Sequence, residues 1–569
     1  MVGVATGEFR ADHTRTRVTG VTSATDPAPV PGPPTMGGPP TDLPTAGGLP
    51  TDLPSAGGPP TALRAEHLDE PLGLDESRPR LSWRLPTGTT RQVAYELVRD
   101  DGAGTRRIDS TDNVLRAWPG SPLASRERRE IRVRVWTDLG ESPWSQPLVV
   151  EAGLTDPADW RAAWVSPLEP VVAPAGQRPA YLLRGQGEVT KPVTRGRLYA
   201  TAHGIYEPHL NGRRVGNLEL APGYTEYGHR VQVQTYDVTD LVQPGTNVLG
   251  AVLADGWYRG QVGLLRAHDQ WGARTSLLAQ LVVDHPDGST TVLVSGPDWL
   301  ARPSSIVAAD LIEGVRQDLR LLDPTWCTTT ASGTWTPVAV PEVDQPYAAL
   351  VGPVGPPVRA VEAIMPRLVT RVATDAGDVD IVDLGQNING HVRLTGLRRL
   401  APAGTELTLT HGEALGPDGD VTMTHLQPNM PFLPAPLSAG QVDAVVSGGP
   451  LTSGDAAYEP SGDAAYDVFE PTLTTHGFQY VRIAGTTEPV QPGDVTGVVV
   501  HSDLRPTGTF DCSDADLNAL HSAAVWSLRD NICDIPTDCP TRERAGWTGD
   551  WQLYAPTASF LYDVAGFSL

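Results

Sequence analysis

The sequence predicts a multidomain, mostly β protein: tandem β-sandwich and jelly-roll domains, followed by the start of an all-α domain. Residues 92–100 (QVAYELVRD) and 129–138 (REIRVRVWTD) alternate apolar and polar side chains, the period of a half-buried strand. The same texture, punctuated by Gly, Pro and Asn, recurs to about residue 505. Past residue 508 the period lengthens, with Leu517, Leu520, Ala524 and Leu528 at helical spacing. At 569 residues the chain exceeds what one hydrophobic core holds, so several domains are expected.

Residues 1–60 are rich in Pro, Gly and Thr and carry a ten-residue repeat (GGPPTDLPTA, GGLPTDLPSA), which reads as a disordered extension. Residues 61–154 read as a small sandwich of the fibronectin type III kind, with Trp83, Trp136 and Trp144 in its core. Residues 155–358 read as a jelly roll, in which Asn211-Gly212 suits a type I′ hairpin turn. Its aromatics Tyr224, Tyr227, Tyr236, Trp257 and Tyr258 serve either as packing or as faces on which a pyranose stacks. Residues 359–507 read as another β-sandwich, with turns at Asn389-Gly390 and Pro402–Gly404 and a tandem SGDAAY segment at 453–468. Residues 508–569 open the helical domain. Ser513 is the expected N-cap, Asp514 and Asp516 favour the first turn, and a second helix begins near Asp550 and is kinked or shortened by Pro556.

A formal charge of −24 repels phosphate backbones, so nucleic acid and anionic membranes are poor partners, and a neutral ligand is favoured. No apolar run approaches the length of a membrane-spanning helix. The four cysteines form no CxxC pair, which speaks against zinc and a disulfide framework. Without an apolar h-region near the N-terminus, a cytoplasmic location is expected, or secretion if translation starts elsewhere. His203, His209, His411, His425 and His476 lie among strands without metal-ligand spacing and read as surface or turn residues.

The stretch with the most chemistry is PTDCPTRERAGWTGD (536–550), between the two helices. Its Pro and Gly residues impose a specific backbone path, from which Asp538, Glu543 and Asp550 project, with Arg542 and Arg544 flanking Glu543. A plain structural reading has Asp550 capping the helix and Arg–Asp pairs fastening the loop. A functional reading is glycoside hydrolysis, which needs a protonated carboxyl for the leaving oxygen and a second carboxylate to activate water or attack. Further carboxylates accept sugar hydroxyls, and a Trp supplies an apolar wall. No nucleophile elbow, P-loop, HExxH or dinucleotide fingerprint competes.

DIPTDCPTRERAGWTGDWQ (534–552) closely resembles the signature of bacterial α-L-rhamnosidases, family 78 of the glycoside hydrolases. LDEPLGLDESRPRLSWRL (68–85), GIYEPHLNGRRVG with LAPGYTEY and DGWYRG, and IVDLGQNINGHVRL with HGFQYVRIAG resemble that family's β-domains in the family's order. The resemblance implies an (α/α)6 catalytic barrel of which 508–569 is the incomplete start. It implies that Glu543 is the general acid of an inverting mechanism. Asp538 and Asp550 then bind rhamnose hydroxyls, Trp547 walls the same subsite, and Arg542 supports or contacts substrate. Some members carry one more residue before the acid; this chain has the shorter TRER form. The family's general base lies further along than this chain reaches, so the chain by itself is expected to be inactive or nearly so. The implied partner is a rhamnose-containing glycoside or polysaccharide. No cofactor is implied, although the jelly-roll block resembles a domain that binds calcium in some members, which leaves calcium open there. The alternative function is a non-catalytic carbohydrate-binding β-domain array.

Overall fold

The computed structural model describes residues 57–342, 347–427, 437, 440–448 and 465–569. The expected extension up to residue 56 and most of the tandem SGDAAY segment lie outside them.

In the first block, strands Gln92–Arg99 and Arg128–Thr137 pair antiparallel at the centre of a six-stranded sheet. The alternation read from the sequence places Ile131, Val133 and Val135 inward, fully buried against Leu81, Trp83, Tyr95 and Leu97. Trp136 and Trp144 differ from expectation. Both are only half-buried, with the Arg134 guanidinium 5.1 and 4.9 Å from their ring centres, so they stack on a cation at the surface while Trp83 fills the core.

The second block packs a four-stranded sheet, with Arg195–His203 and Ser276–Asp284 at its centre, against a six-stranded sheet centred on Gly245–Ala254 and Tyr181–Val189. Leu198, Ala200, Leu253, Leu277 and Leu281 fill the space between. Asn211 and Gly212 join Ile205–Leu210 to Arg213–Arg214 with φ of 53° and 81°, the positive pair that a type I′ turn requires.

The hairpin Ile306–Asp310/Gly314–Asp318 lies inside the second block in sequence but joins the third sheet, where Gly314–Asp318 runs parallel to Val442–Val446. That third sheet is one hydrogen-bonded array of ten strands. Its long strand Gly377–Thr395 changes partners at an irregularity between Asp383 and Ile388. Phe469, Phe478, Leu407, Leu409, Val481 and Ile483 are fully buried in its core. The turn expected at Asn389-Gly390 is absent: both residues sit within the long strand, and a Cβ on Gly390 would lie 1.8 Å from the Val498 carbonyl oxygen. Glycine serves close backbone approach there, not a reversal.

Helix Ala515–Asp530 is capped by Asp514, whose carboxylate accepts the amides of Asp516 and Leu517 at 2.9 and 3.3 Å, one residue later than the expected Ser513. The second long helix, Thr548–Leu561, follows Trp547 and runs through Pro556 without ending there. Asp550 therefore lies in its first turn rather than at its cap. Leu528, Ile532, Ala558 and Val564 form a small core with Leu504. Leu517, Leu520, Leu553 and Phe560 stay exposed, so the apolar periodicity of this region is only partly used.

Candidate active site

The acidic loop begins at a minimal hairpin, Ile532–Cys533 paired with Ile535–Pro536. Asp534 turns it with φ of 68°, and its carboxylate accepts the Tyr224 amide at 2.5 Å. A Cβ on the facing Gly223 (φ 101°) would lie 2.5 Å from that carboxylate, so the contact requires glycine twice over. Burial pushes the Asp534 carboxyl up to about 6. Asp530, at the end of the preceding helix, accepts the Asn389 amide at 3.0 Å, and burial raises it to about 7.

Beyond the hairpin the loop closes on itself. The Asp538 amide donates to the Ala545 carbonyl at 3.2 Å, and the Trp547 amide donates to Pro536 at 2.9 Å. Three consecutive carbonyls are then held by the jelly-roll block. The Arg266 guanidinium donates to the carbonyl of Arg542, the Gly263 amide to that of Glu543 at 2.8 Å, and Trp257 Nε1 to that of Arg544 at 3.0 Å. DGWYRG thus contributes a tether for the acid loop, a role invisible in its sequence. Of the five aromatics weighed as sugar platforms, Tyr227, Tyr236, Trp257 and Tyr258 are buried, and Tyr224 is half-buried, packed edge-on against Trp257 and Trp271.

Glu543 is 8% exposed, with Arg542 Nε at 3.6 Å from its Oε1. Asp538 is half-buried on the same loop; its Oδ2 accepts the Cys539 thiol at 2.8 Å. Burial raises the Asp538 carboxyl, and the charge of nearby Glu543 adds to the rise. Trp547 and Asp550 are exposed and line an open cavity of about 350 Å³ with Asn531, Thr537, Trp551 and Tyr554. Glu543, Asp538 and Arg542 do not line it. The loop thus carries a buried Glu543, a half-buried Asp538 and Arg542, and an exposed Trp547 and Asp550.

Arg544 departs most from expectation. It is fully buried and donates to Thr541 and Thr475 carbonyls and to His476 Nδ1, the last at 3.2 Å. His476, His411 and Asp443 are themselves buried, and their ligating atoms fall within 4.8 Å of one another. His411 and His476 are therefore core residues rather than surface or turn residues. No spacing signal could have found the set, because its members sit on three strands that become neighbours only in the sheet.

The chain matches, in order, family models for the Rha78A-like N-terminal immunoglobulin domain over 60–156, the alpha-L-rhamnosidase N-terminal domain over 191–362, the bacterial alpha-L-rhamnosidase concanavalin-like domain over 374–501 and the bacterial alpha-L-rhamnosidase 6 hairpin glycosidase domain over 505–568. It is 38% identical over 453 residues to an alpha-L-rhamnosidase of Streptomyces avermitilis, covering 78% of this chain and 40% of that protein. It is 31% identical over 537 residues to an alpha-L-rhamnosidase of Formosa agariphila, covering 88% and 53%. The chain thus spans about half the length of the curated relatives it matches. Among solved structures, the native rhamnosidase of Aspergillus terreus is 33% identical with a TM-score of 0.79, over 90% of this chain and 56% of that one. The Streptomyces avermitilis enzyme complexed with L-rhamnose is 29% identical with a TM-score of 0.80, over 90% and 64%.

Proposed function

Because the chain belongs to the bacterial α-L-rhamnosidases, glycoside hydrolase family 78, we propose that its protein hydrolyses terminal α-L-rhamnosides with inversion, Glu543 being the general acid. The observation that carries this is the setting of Glu543: a nearly buried carboxyl on a loop whose three consecutive carbonyls are tethered to another domain. A proton donor works only if its oxygen is held on the leaving oxygen, and such tethering supplies that order. Glu543 gives its proton to the glycosidic oxygen as the bond to the anomeric carbon breaks. Water, deprotonated by a second carboxylate, attacks the opposite face. That base stands roughly 6.5–9.5 Å from the acid in an inverting pair. We assign it to the length that the curated relatives carry beyond their match to this chain. The substrate class is a rhamnose-containing glycoside or polysaccharide. Asp538 and Asp550 accept rhamnose hydroxyls, Trp547 walls the sugar and Arg542 supports the acid or the substrate. This chemistry needs no metal.

The test is release of L-rhamnose from an alkyl α-L-rhamnoside, whose poor leaving group needs the proton, with the anomer formed first read by NMR. The chain alone should turn over barely. A protein that also carries the relatives' further length should release β-L-rhamnose first, and Glu543→Gln should reduce its turnover at least about a hundredfold. Unchanged turnover in that variant would remove the acid assignment.

A further inference from the structure

We infer that Arg544, His476 and Asp443 form a metal-free anchor that positions the Glu543 loop on the third sheet, with the His476 imidazole standing between a buried guanidinium and its counter-charge. The inference rests on Glu543 being the proton donor for its purpose, but not for its geometry.

Arg544 follows Glu543 directly, and its side chain is fully buried. Among the described residues no carboxylate lies within ion-pair distance of its guanidinium. Burial lowers it to about 10, so it remains charged at neutral pH. A buried cation without a counter-charge is costly, and the structure supplies one at one remove. Arg544 is a donor only, so the His476 Nδ1 that it meets at 3.2 Å must be the acceptor. The ring proton is then on Nε2, which faces Asp443 Oδ2 at 3.0 Å. The other oxygen, Asp443 Oδ1, accepts the Val315 amide at 2.8 Å. Burial alone would raise the Asp443 carboxyl, but His476 and His411 beside it and that amide outweigh burial and lower it to about 2, so the carboxylate stays ionised. Arg544 is thus hydrogen-bonded to the imidazole, whose Nε2 edge stands at contact distance from the Asp443 carboxylate of strand Val442–Val446 without completing a hydrogen bond to it.

Two histidines and an aspartate converging in a buried space have the composition of a metal site, so that rival has to be weighed. His411 Nδ1 faces the Gln441 carbonyl at 3.1 Å and donates to it, which leaves a lone pair on Nε2, 3.8 Å from Asp443 Oδ2. The two rings, however, are stacked, with centroids 4.2 Å apart and planes within 19°. An ion at the usual distance of about 2 Å must lie in the plane of each ring that binds it. Near-parallel stacked rings offer no such common point. The Arg544 cation on His476 adds repulsion, and it fixes the tautomer with Nε2 protonated rather than free to ligate.

The test uses the 569-residue chain and two replacements. His476→Gln keeps an acceptor for Arg544, whereas His476→Phe keeps a flat ring on His411 but no acceptor. Amide exchange of residues 537–547 should quicken about tenfold or more in His476→Phe and less than about threefold in His476→Gln. Exchange of strand Gln92–Arg99 should not change. ¹⁵N spectra, with the His476 ring identified by its loss in His476→Gln, should show a neutral ring protonated on Nε2. The purified chain should hold no stoichiometric metal. Asp443→Asn, which keeps an acceptor but removes the charge, should quicken loop exchange to an intermediate degree and covers the case in which His476→Phe does not fold. The anchor is overturned by wild-type loop exchange in His476→Phe, or in Asp443→Asn where His476→Phe fails to fold. It is equally overturned by Gln and Phe variants that behave alike, by a ring protonated on Nδ1, or by one bound metal per chain. None of these readouts uses turnover, so failure of the Glu543 assignment would leave them standing.

Discussion

Replacing Trp257 by Phe isolates the tether between the jelly-roll block and the acid loop. The indole is 3% exposed, and its Nε1 donates to the Arg544 carbonyl at 3.0 Å. Phenylalanine keeps an aromatic ring against Tyr224, whose centroid lies 5.8 Å away, but has no donor. The Arg544 carbonyl would then be left without that partner at a buried position, which costs about 1–3 kcal/mol. The lost ring atoms add a cavity contribution of about 1 kcal/mol, shared between local and global stability. The local part alone should speed amide exchange of residues 537–547 roughly 5- to 150-fold. Hydrogen exchange read by mass spectrometry on peptides covering the loop is the assay, with Gln92–Arg99 as the internal control. Exchange that is unchanged in the loop, or accelerated equally in both segments, would refute the idea that Trp257 acts as a specific tether.

Other consequences follow from single contacts. Asp530 carries a raised pKa of about 7, so the folded chain holds a proton there that an unfolded chain loses near 4; its contribution therefore falls as pH rises from about 4 to 7. Half-buried His203 and buried His411 and His501, lowered by desolvation to about 4, 3 and 4, act in the opposite sense between those values and 6.5. The diagnostic is thus the difference between Asp530→Asn and the unmodified chain, which should grow in favour of the variant from pH 5 to pH 8; parallel melting profiles would contradict it. Gly223→Ala places a methyl 2.5 Å from the Asp534 carboxylate at φ 101° and should lower the melting temperature by several degrees, equivalent to about 2 kcal/mol or more. Pro556 is exposed within the helix Thr548–Leu561, so Pro556→Ala restores a backbone donor and should increase helix protection by about 1 kcal/mol or more; a loss of protection would mean that the ring itself shapes the helix.

What could be read in the sequence was local. Alternation in REIRVRVWTD set the inward face of its strand, because side-chain direction in a strand depends only on the pleat. Asn211-Gly212 announced its turn through the positive φ that those residues tolerate. The same dipeptide at Asn389-Gly390 misled, because there the small residue answers to a neighbouring strand and not to its own chain. Asp538, Arg542, Glu543, Trp547 and Asp550 were legible as one motif, but their burial was not: Glu543 is 8% exposed, while Trp547 and Asp550 are open to solvent.

Sequence by itself therefore determined the mostly β plan, the switch to helices and the loop on which the carboxylates sit. The tertiary structure decided how that loop is held. Trp257 meets Arg544 across 287 residues of chain, and the Arg544–His476–Asp443 contacts cross from the loop to two strands of the third sheet. Such contacts have no period and no spacing. Burial is what makes them strong: a carbonyl or guanidinium removed from water must find its partner wherever the folded chain brings one.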